Sequence, residues 1–133
     1  MFIARHVTKP RYRSVMSAKA KIGMVFGVFD GLHEGHTQFL KQALEYAQHL
    51  IIVVATDESV MNLKGRKPQA DIQKRIKHLQ VSFPDAEVIE GDDVMGSYRV
   101  IKKRTPEILL LGYDQSRLKE DIEQKVAVGL IPQ

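Results

Sequence analysis

The chain has 133 residues and a mass of 15.1 kDa, the size of one domain with its own core. It has no cysteine, which excludes disulfides, zinc ribbons and thiol catalysis, and no apolar run long enough to span a membrane. The formal net charge is +4, but six of the 20 basic residues and none of the 16 acidic residues lie before Ile22. The remaining residues are therefore slightly acidic, whereas a nucleic-acid-binding domain normally carries its own basic face. We expect a cytoplasmic protein without nucleic-acid or membrane partners.

The charge distribution divides the chain into two parts. Residues 1–21 are expected to form a flexible, basic N-terminal extension, because they carry positive charge and no regular apolar pattern. An organelle-targeting presequence is the alternative, although Pro10 interrupts its helical pattern. Residues 22–133 are expected to form the functional domain.

Apolar runs and helical periodicity alternate along this domain. Short apolar runs predict strands at 22–29, 50–55, 86–89 and 108–111. Apolar residues at helical spacing predict helices at 34–49, 70–81, 94–104 and 116–128. The alternation predicts an α/β fold, a Rossmann-like parallel sheet of about five strands with helices on both faces.

Two segments fall outside that alternation. Residues 56–69 contain the basic, Gly/Pro-punctuated stretch Lys64–Pro68 and are predicted to form a loop. Gly129 is placed to end the last helix, and a final strand is expected after it. If this sequence does not supply that strand, three alternatives are open: the sheet closes differently, the strand comes from elsewhere, or the gene is longer.

The segment GVFDGLHEGH, residues 27–36, joins the first predicted strand to the first predicted helix. Ligands of parallel α/β folds bind at such carboxyl ends of strands. His33 and His36 there are compatible with a metal site, with acid–base catalysis, or with ordinary polar residues behind an Asp30 helix cap. The spacing departs from the usual i, i+4 histidine pair of zinc sites, and no nucleophile lies nearby in sequence.

A phosphate site accounts for more of these positions. A helix N-terminus after a strand presents free N–H groups and a positive dipole end. Gly27 and Gly35 permit close approach of backbone or ligand, and histidines donate hydrogen bonds to phosphate oxygens. We therefore favour an anion site that stabilises charge developing at phosphorus.

The same segment resembles the G-x-F-D-x-x-H-x-G-H signature of the cytidylyltransferase-like nucleotidyltransferases. Six fixed positions match, namely Gly27, Phe29, Asp30, His33, Gly35 and His36. Ala55–Val60 followed by Leu63–Pro68 resembles the region after the second strand of archaeal-type FAD synthetases, and Leu111–Gln115 resembles their L-G-x-D-Q segment. Arg75 falls where these families place an arginine, and the similarity covers about residues 22–129.

This resemblance implies transfer of a nucleoside monophosphate from a nucleoside triphosphate to a phosphate-bearing acceptor, with release of pyrophosphate. Mg²⁺ would be bound through the phosphates, without direct protein ligands. Four residues are implied as catalytic: His33, His36, Lys64 (with Arg66 or Lys67 as substitutes) and Arg75. Seven are implied to bind the nucleotide: Gly27, Val28, Phe29, Asp30, Gly35, Gly112 and Asp114.

Within the nucleotide-binding set, Phe29 is expected to support the core, Asp30 to orient the loop, and Asp114 to sit by the nucleotide or the metal. Family likeness also makes a homodimer plausible.

Three functions remain open from the sequence. The FAD-synthetase-like segments favour adenylyl transfer from ATP to FMN. The alternative is cytidylyl transfer from CTP to glycerol 3-phosphate or a sugar phosphate, whose enzymes carry an R-T-x-G-I-S-like segment that this sequence lacks. Val28 stands where many relatives carry threonine, and this departure supports a third hypothesis, a nucleotide-binding module without turnover.

Overall fold

The computed structural model describes residues 2–5, 19–92, 94, 96–112 and 114–131. The strands in this part of the chain are β1 Phe2–Arg5, β2 Ala20–Gly27, β3 Ala47–Val54, β4 Glu87–Glu90 and β5 Ile108–Leu111. The helices are α1 Glu34–Leu44, α2 Asp57–Lys64, α3 Ile72–Ser82, α4 Arg99–Arg104 and α5 Ser116–Ala127.

The strands form one parallel sheet in the order β1-β5-β2-β3-β4. One face packs against α1 and α3 through a core that includes Val25, Leu40 and Leu79. The other packs against α4 and α5 through a second core that includes Met24, Ile101 and Ile122. The prediction of an α/β fold with a parallel sheet and helices on both faces is confirmed.

The strand order places the predicted site at a switch point. From β2 the chain proceeds outward to β3 and β4, and it then returns to the other side of β2 as β5. Ligands of open α/β sheets bind outside the carboxyl ends of strands at such a point. The ends of β2 and β5, at Gly27 and Leu111, therefore face the same candidate site.

Several parts of the chain differ from the sequence prediction. The predicted helix 34–49 ends at Leu44 and β3 begins at Ala47, and the predicted helix 94–104 begins at Arg99. Residues 2–5 of the expected extension form the edge strand β1, which pairs with β5, and β2 begins at Ala20. Of that extension, residues 6–18 lie outside the described residues. An isolated apolar triplet in a basic segment gives no strand signal, because its pairing partner lies about a hundred positions away in sequence.

The predicted loop 56–69 was wrong in its first half, which forms α2. The Thr56 hydroxyl accepts a hydrogen bond from the Ser59 N–H and caps the helix, while Gly65 ends it in the left-handed conformation at φ 71°. Helical periodicity missed α2 because its buried residues, Ser59 and Val60, form no apolar stripe. None of the described helices combines the length and apolar character needed to span a bilayer.

Candidate active site

The turn that leaves β2 is held by the aromatic ring of Phe29. Phe29 is buried and has a positive φ of 53°, an uncommon backbone conformation for a bulky residue. Its ring folds back over Gly27, where an added Cβ would lie 2.6 Å from two ring carbons. Gly27 is therefore required for packing inside the turn, and Phe29 supports the site from the core side.

His33 begins α1 as its cap. Its Nδ1 accepts a hydrogen bond from the His36 N–H at 3.3 Å, and its ring stacks on the His36 ring with centroids 3.7 Å apart. Because Nδ1 accepts this bond, the neutral His33 ring carries its proton on Nε2. His33 is exposed, so Nε2–H is a donor available to a ligand.

Gly35 makes this arrangement possible. A Cβ at Gly35 would lie 3.0 Å from Cε1 and 3.2 Å from Nδ1 of His33. Glycine thus makes room for the imidazole that caps the helix. The N–H groups of Glu34 and Gly35 have no acceptor among the described residues, so they remain free to bind an anion at the positive end of α1.

His36 is the more enclosed of the two histidines. Its ring meets the Phe29 ring edge-to-face at 5.4 Å, and its Nδ1 is buried without a hydrogen-bond partner in the described structure. Burial lowers the pKa of His36 below its ordinary value, and the neighbouring His33 lowers it further, while the Asp114 carboxylate opposes the shift. His36 is thereby favoured as a neutral imidazole near pH 7.

Asp30 holds the basic loop against the turn. Its carboxylate accepts hydrogen bonds from the N–H groups of Gln69 at 2.7 Å and Ala70 at 3.0 Å. These two bonds hold the pKa of Asp30 below its usual value, with the Gln69 bond contributing most. Both carboxylate oxygens are thus engaged by backbone N–H groups of the segment before α3.

Lys64 is the last residue of α2, where it is exposed. Its positive charge acts on Asp30 and lowers the pKa of His36, so it lies within electrostatic range of the turn. The alternatives to Lys64, Arg66 and Lys67, are exposed on the loop beyond Gly65.

Arg75, which the family resemblance implies as catalytic, lies in α3 and is buried within the protein. Its side chain is only 1 % exposed. Nη1 donates to the carbonyl oxygens of Val28 and Ala55, both at 2.8 Å. Nε donates to the Ala70 carbonyl at 3.0 Å, and Nη2 donates to the Asp57 carboxylate at 2.6 Å. The guanidinium is committed to protein acceptors, and Val28 contributes a backbone carbonyl to this cluster.

Gln115 ties the end of β5 to the end of β2. Its Oε1 accepts from the Gly112 N–H at 2.9 Å, and its Nε2 donates to the Phe26 carbonyl at 2.9 Å. Asp114 is exposed beside them, with its Oδ1 3.0 Å from where a Gly112 Cβ would lie. Gln115 was not among the predicted site residues, although its place in the Leu111–Gln115 segment was a signal for it.

The turn, Lys64 and the Gly112–Gln115 segment therefore surround one end of the sheet. Within the described residues, no group of three or more His, Asp or Glu side chains is close enough to hold a metal ion. Free N–H groups, two imidazoles and a lysine form a donor set suited to phosphate oxygens.

Comparisons with known proteins agree with this geometry. The cytidylyltransferase-like family model matches residues 24–129. The FAD synthase of Thermococcus sibiricus is 40% identical over 115 residues, which cover 83% of this chain and 78% of the relative. The FAD synthase of Pyrococcus horikoshii is 38% identical over 117 residues, covering 86% of this chain and 79% of that protein.

A solved structure shows the same fold. The lipopolysaccharide core biosynthesis protein from Thermoplasma volcanium superposes with a TM-score of 0.72 at 28% identity, covering 82% of this chain and 88% of that one. The resemblance inferred from the His33–His36 motif is thus confirmed by matches over most of the chain. The chain belongs to the cytidylyltransferase-like family and is a nucleotidyltransferase.

Proposed function

We propose that this enzyme transfers the adenylyl group of ATP to FMN and thereby forms FAD and pyrophosphate. The observation that supports the proposal is the α1 N-terminus, where two N–H groups without acceptors among the described residues lie beside the His33–His36 pair, a donor set suited to phosphate oxygens. The choice of ATP and FMN rests on the FAD synthases that match this chain at up to 40% identity.

The chemical step is an in-line displacement. A phosphate oxygen of FMN attacks the α-phosphorus of ATP, and a new P–O bond joins FMN to the adenylyl group. The bond from the α-phosphorus to the bridging oxygen of the β-phosphate breaks, and pyrophosphate leaves with that oxygen. No covalent enzyme intermediate is needed, so the protein contributes positioning and stabilisation of charge.

The histidines are placed to bind the phosphates. His33 offers its Nε2–H, because its Nδ1 already accepts the His36 N–H. His36, held neutral by burial, donates from its other ring nitrogen as charge develops on the leaving phosphates. A neutral donor that strengthens its hydrogen bond in the transition state raises kcat more than it raises substrate affinity.

Lys64 and Asp114 supply charges at the rim. Lys64 offsets the negative charge of the triphosphate from the end of α2. Asp114 is exposed, its charge acts on His36, and it is available to a Mg²⁺ ion held on the triphosphate. The protein donor set fits a metal bound mainly through substrate phosphates, since the Asp30 carboxylate is engaged by two backbone N–H groups. Such an ion would neutralise phosphate charge and orient the leaving group.

Pyrophosphate release measures this proposal directly. Purified enzyme with Mg²⁺ is given either ATP with FMN or CTP with glycerol 3-phosphate, and FAD is detected by chromatography. We expect pyrophosphate and FAD only from ATP with FMN. Turnover only with CTP would contradict adenylyl transfer to FMN. Nucleotide binding without turnover in either mixture would contradict transferase activity and support a binding module.

A further inference from the structure

The buried guanidinium of Arg75 joins four separate parts of the site. It bonds to the carbonyls of Val28, after β2, and Ala55, after β3. It also bonds to Ala70, in the loop before α3, and to the Asp57 carboxylate in the first turn of α2. Four of its five N–H donors are used in these bonds.

These four contacts connect the His33–His36 turn, on one side of the proposed phosphate site, with α2 on the other side. Val28 directly precedes Phe29, whose strained backbone leads into the His33–His36 turn. Asp57 begins α2, and Lys64 ends it. The Ala70 N–H donates to Asp30 in the turn, and the Ala70 carbonyl accepts from Arg75. Ala70 is therefore bonded to both the turn and the guanidinium. Arg75 therefore links the element that carries Lys64 to the turn that carries the histidines.

Contact with the leaving phosphates would require Arg75 to abandon this cluster. A buried arginine that loses its acceptors leaves carbonyl oxygens unsatisfied, and the Asp57 carboxylate beside it repels an anion. We propose that Arg75 is a positioning residue that aligns Lys64 with the His33–His36 turn for catalysis, and that it does not bind the phosphates itself. This inference rests on the proposed nucleotidyl transfer.

The key experiment alters the cluster in two ways and measures kcat, the KM for ATP, and thermal stability. Arg75→Lys keeps the charge but cannot reach four acceptors from one ammonium group. Asp57→Asn leaves Arg75 intact but removes its charged partner. The matched controls are Lys77→Met, on the exposed side of the same helix, and Glu58→Gln, next to Asp57 and exposed.

We expect kcat to fall by about 10- to 100-fold in both cluster variants, because small misplacements of catalytic groups cost that much. The KM for ATP should change by less than about threefold, since alignment acts in the transition state. The double variant Arg75→Lys/Asp57→Asn should lose little more than the worse single variant, since the two side chains act through one contact. Both controls should retain wild-type kcat and KM.

The opposite pattern would overturn the inference. If Arg75 contacts phosphate, Arg75→Lys should retain most of kcat, and Asp57→Asn should lower the KM for ATP by removing a repelling charge. Unchanged kcat in both cluster variants, with an active wild type, would also overturn it. A wild type without turnover would instead contradict the proposed function, so the two failures are distinguishable. If Arg75→Lys does not fold, Asp57→Asn decides alone.

Discussion

Glu87 lies at the amino end of β4, and its carboxylate accepts from Arg104 at 2.7 Å and meets His49 Nε2 at 2.6 Å. At the carboxyl end of the sheet, His36 keeps a buried Nδ1 without a partner in the described structure, and Phe29 holds a positive φ. The first cluster satisfies its charges within the protein. The second keeps an unsatisfied polar atom and an uncommon backbone conformation, a combination that is typical of functional sites.

Replacing one histidine at each end of the sheet gives the largest expected difference between the two regions. His36→Ala should lower kcat by about 10²- to 10³-fold, the usual loss when one transition-state donor is removed. His49→Ala, at the Glu87 cluster, should leave kcat within about twofold, because distant surface changes rarely affect chemistry. Steady-state pyrophosphate release measures both. Equal losses in the two variants would show that the ends are not functionally distinct.

The variant Gly35→Ala, at the carboxyl end of the sheet, should lower activity with little change in thermal stability. The added Cβ would lie 3.0 Å from His33 Cε1 and displace the capping ring, so kcat should fall by about tenfold or more. Alanine is the better helix former by about 1 kcal/mol, which offsets the lost cap in a thermal melt.

A double variant checks that this loss passes through His33. In a His33→Ala background, Gly35→Ala should have almost no further effect on kcat, because the displaced ring is already gone. A full additional loss there would show that Gly35 acts by another route.

The Glu87 cluster should control stability and its dependence on pH. Arg104 and, to a smaller extent, His49 lower the pKa of Glu87 from 4.5 to about 2. A depressed carboxylate pKa contributes stability above its unfolded value, and this contribution is lost as pH falls from about 5 to about 2.

Glu87→Gln should therefore destabilise the protein by about 1 kcal/mol at pH 7, after allowance for solvent screening at this partly exposed site. The cost should disappear near pH 2, with kcat unchanged at pH 7. Urea denaturation of wild type and variant at both pH values measures the difference. An equal cost at both would show that the ion pairs do not stabilise the fold.

The smallest expected effect is a shift in the pKa of His36. Because burial and then His33 lower this pKa, the His36 ring should titrate below its ordinary 6.5, and His33→Ala should move the midpoint upward. As the pH falls below 6.5, His36 is protonated in the unfolded chain before it is protonated in the folded protein. The folded state therefore becomes less stable relative to the unfolded state. NMR titration of the imidazole Cε1–H signals checks the direction. A midpoint above 6.5 in the free enzyme would contradict the burial argument.

The sequence by itself determined the β/α alternation, the strand at Ile108–Leu111, and the motif that identifies the family, because these depend on local patterns. It also pointed to His33 and His36 as site residues, because they lie at the N-terminus of a helix that follows a buried strand, while Lys64 was implied by the family resemblance. The predicted contacts of these residues with phosphate stay predictions, as does the homodimer.

Only the tertiary structure decided which polar residues are bonded within the protein and which are left exposed. Arg75 and Asp30 are residue types that often contact ligands, but all hydrogen-bond partners of their side chains except the Ala70 carbonyl that Arg75 binds come from segments 18 to 47 residues away. The edge strand β1 and the Gln115 link to β2 likewise depend on neighbours distant in sequence. The reason is physical: the burial and hydrogen-bond partners of a long polar side chain are set by packing between elements, which local sequence patterns do not encode.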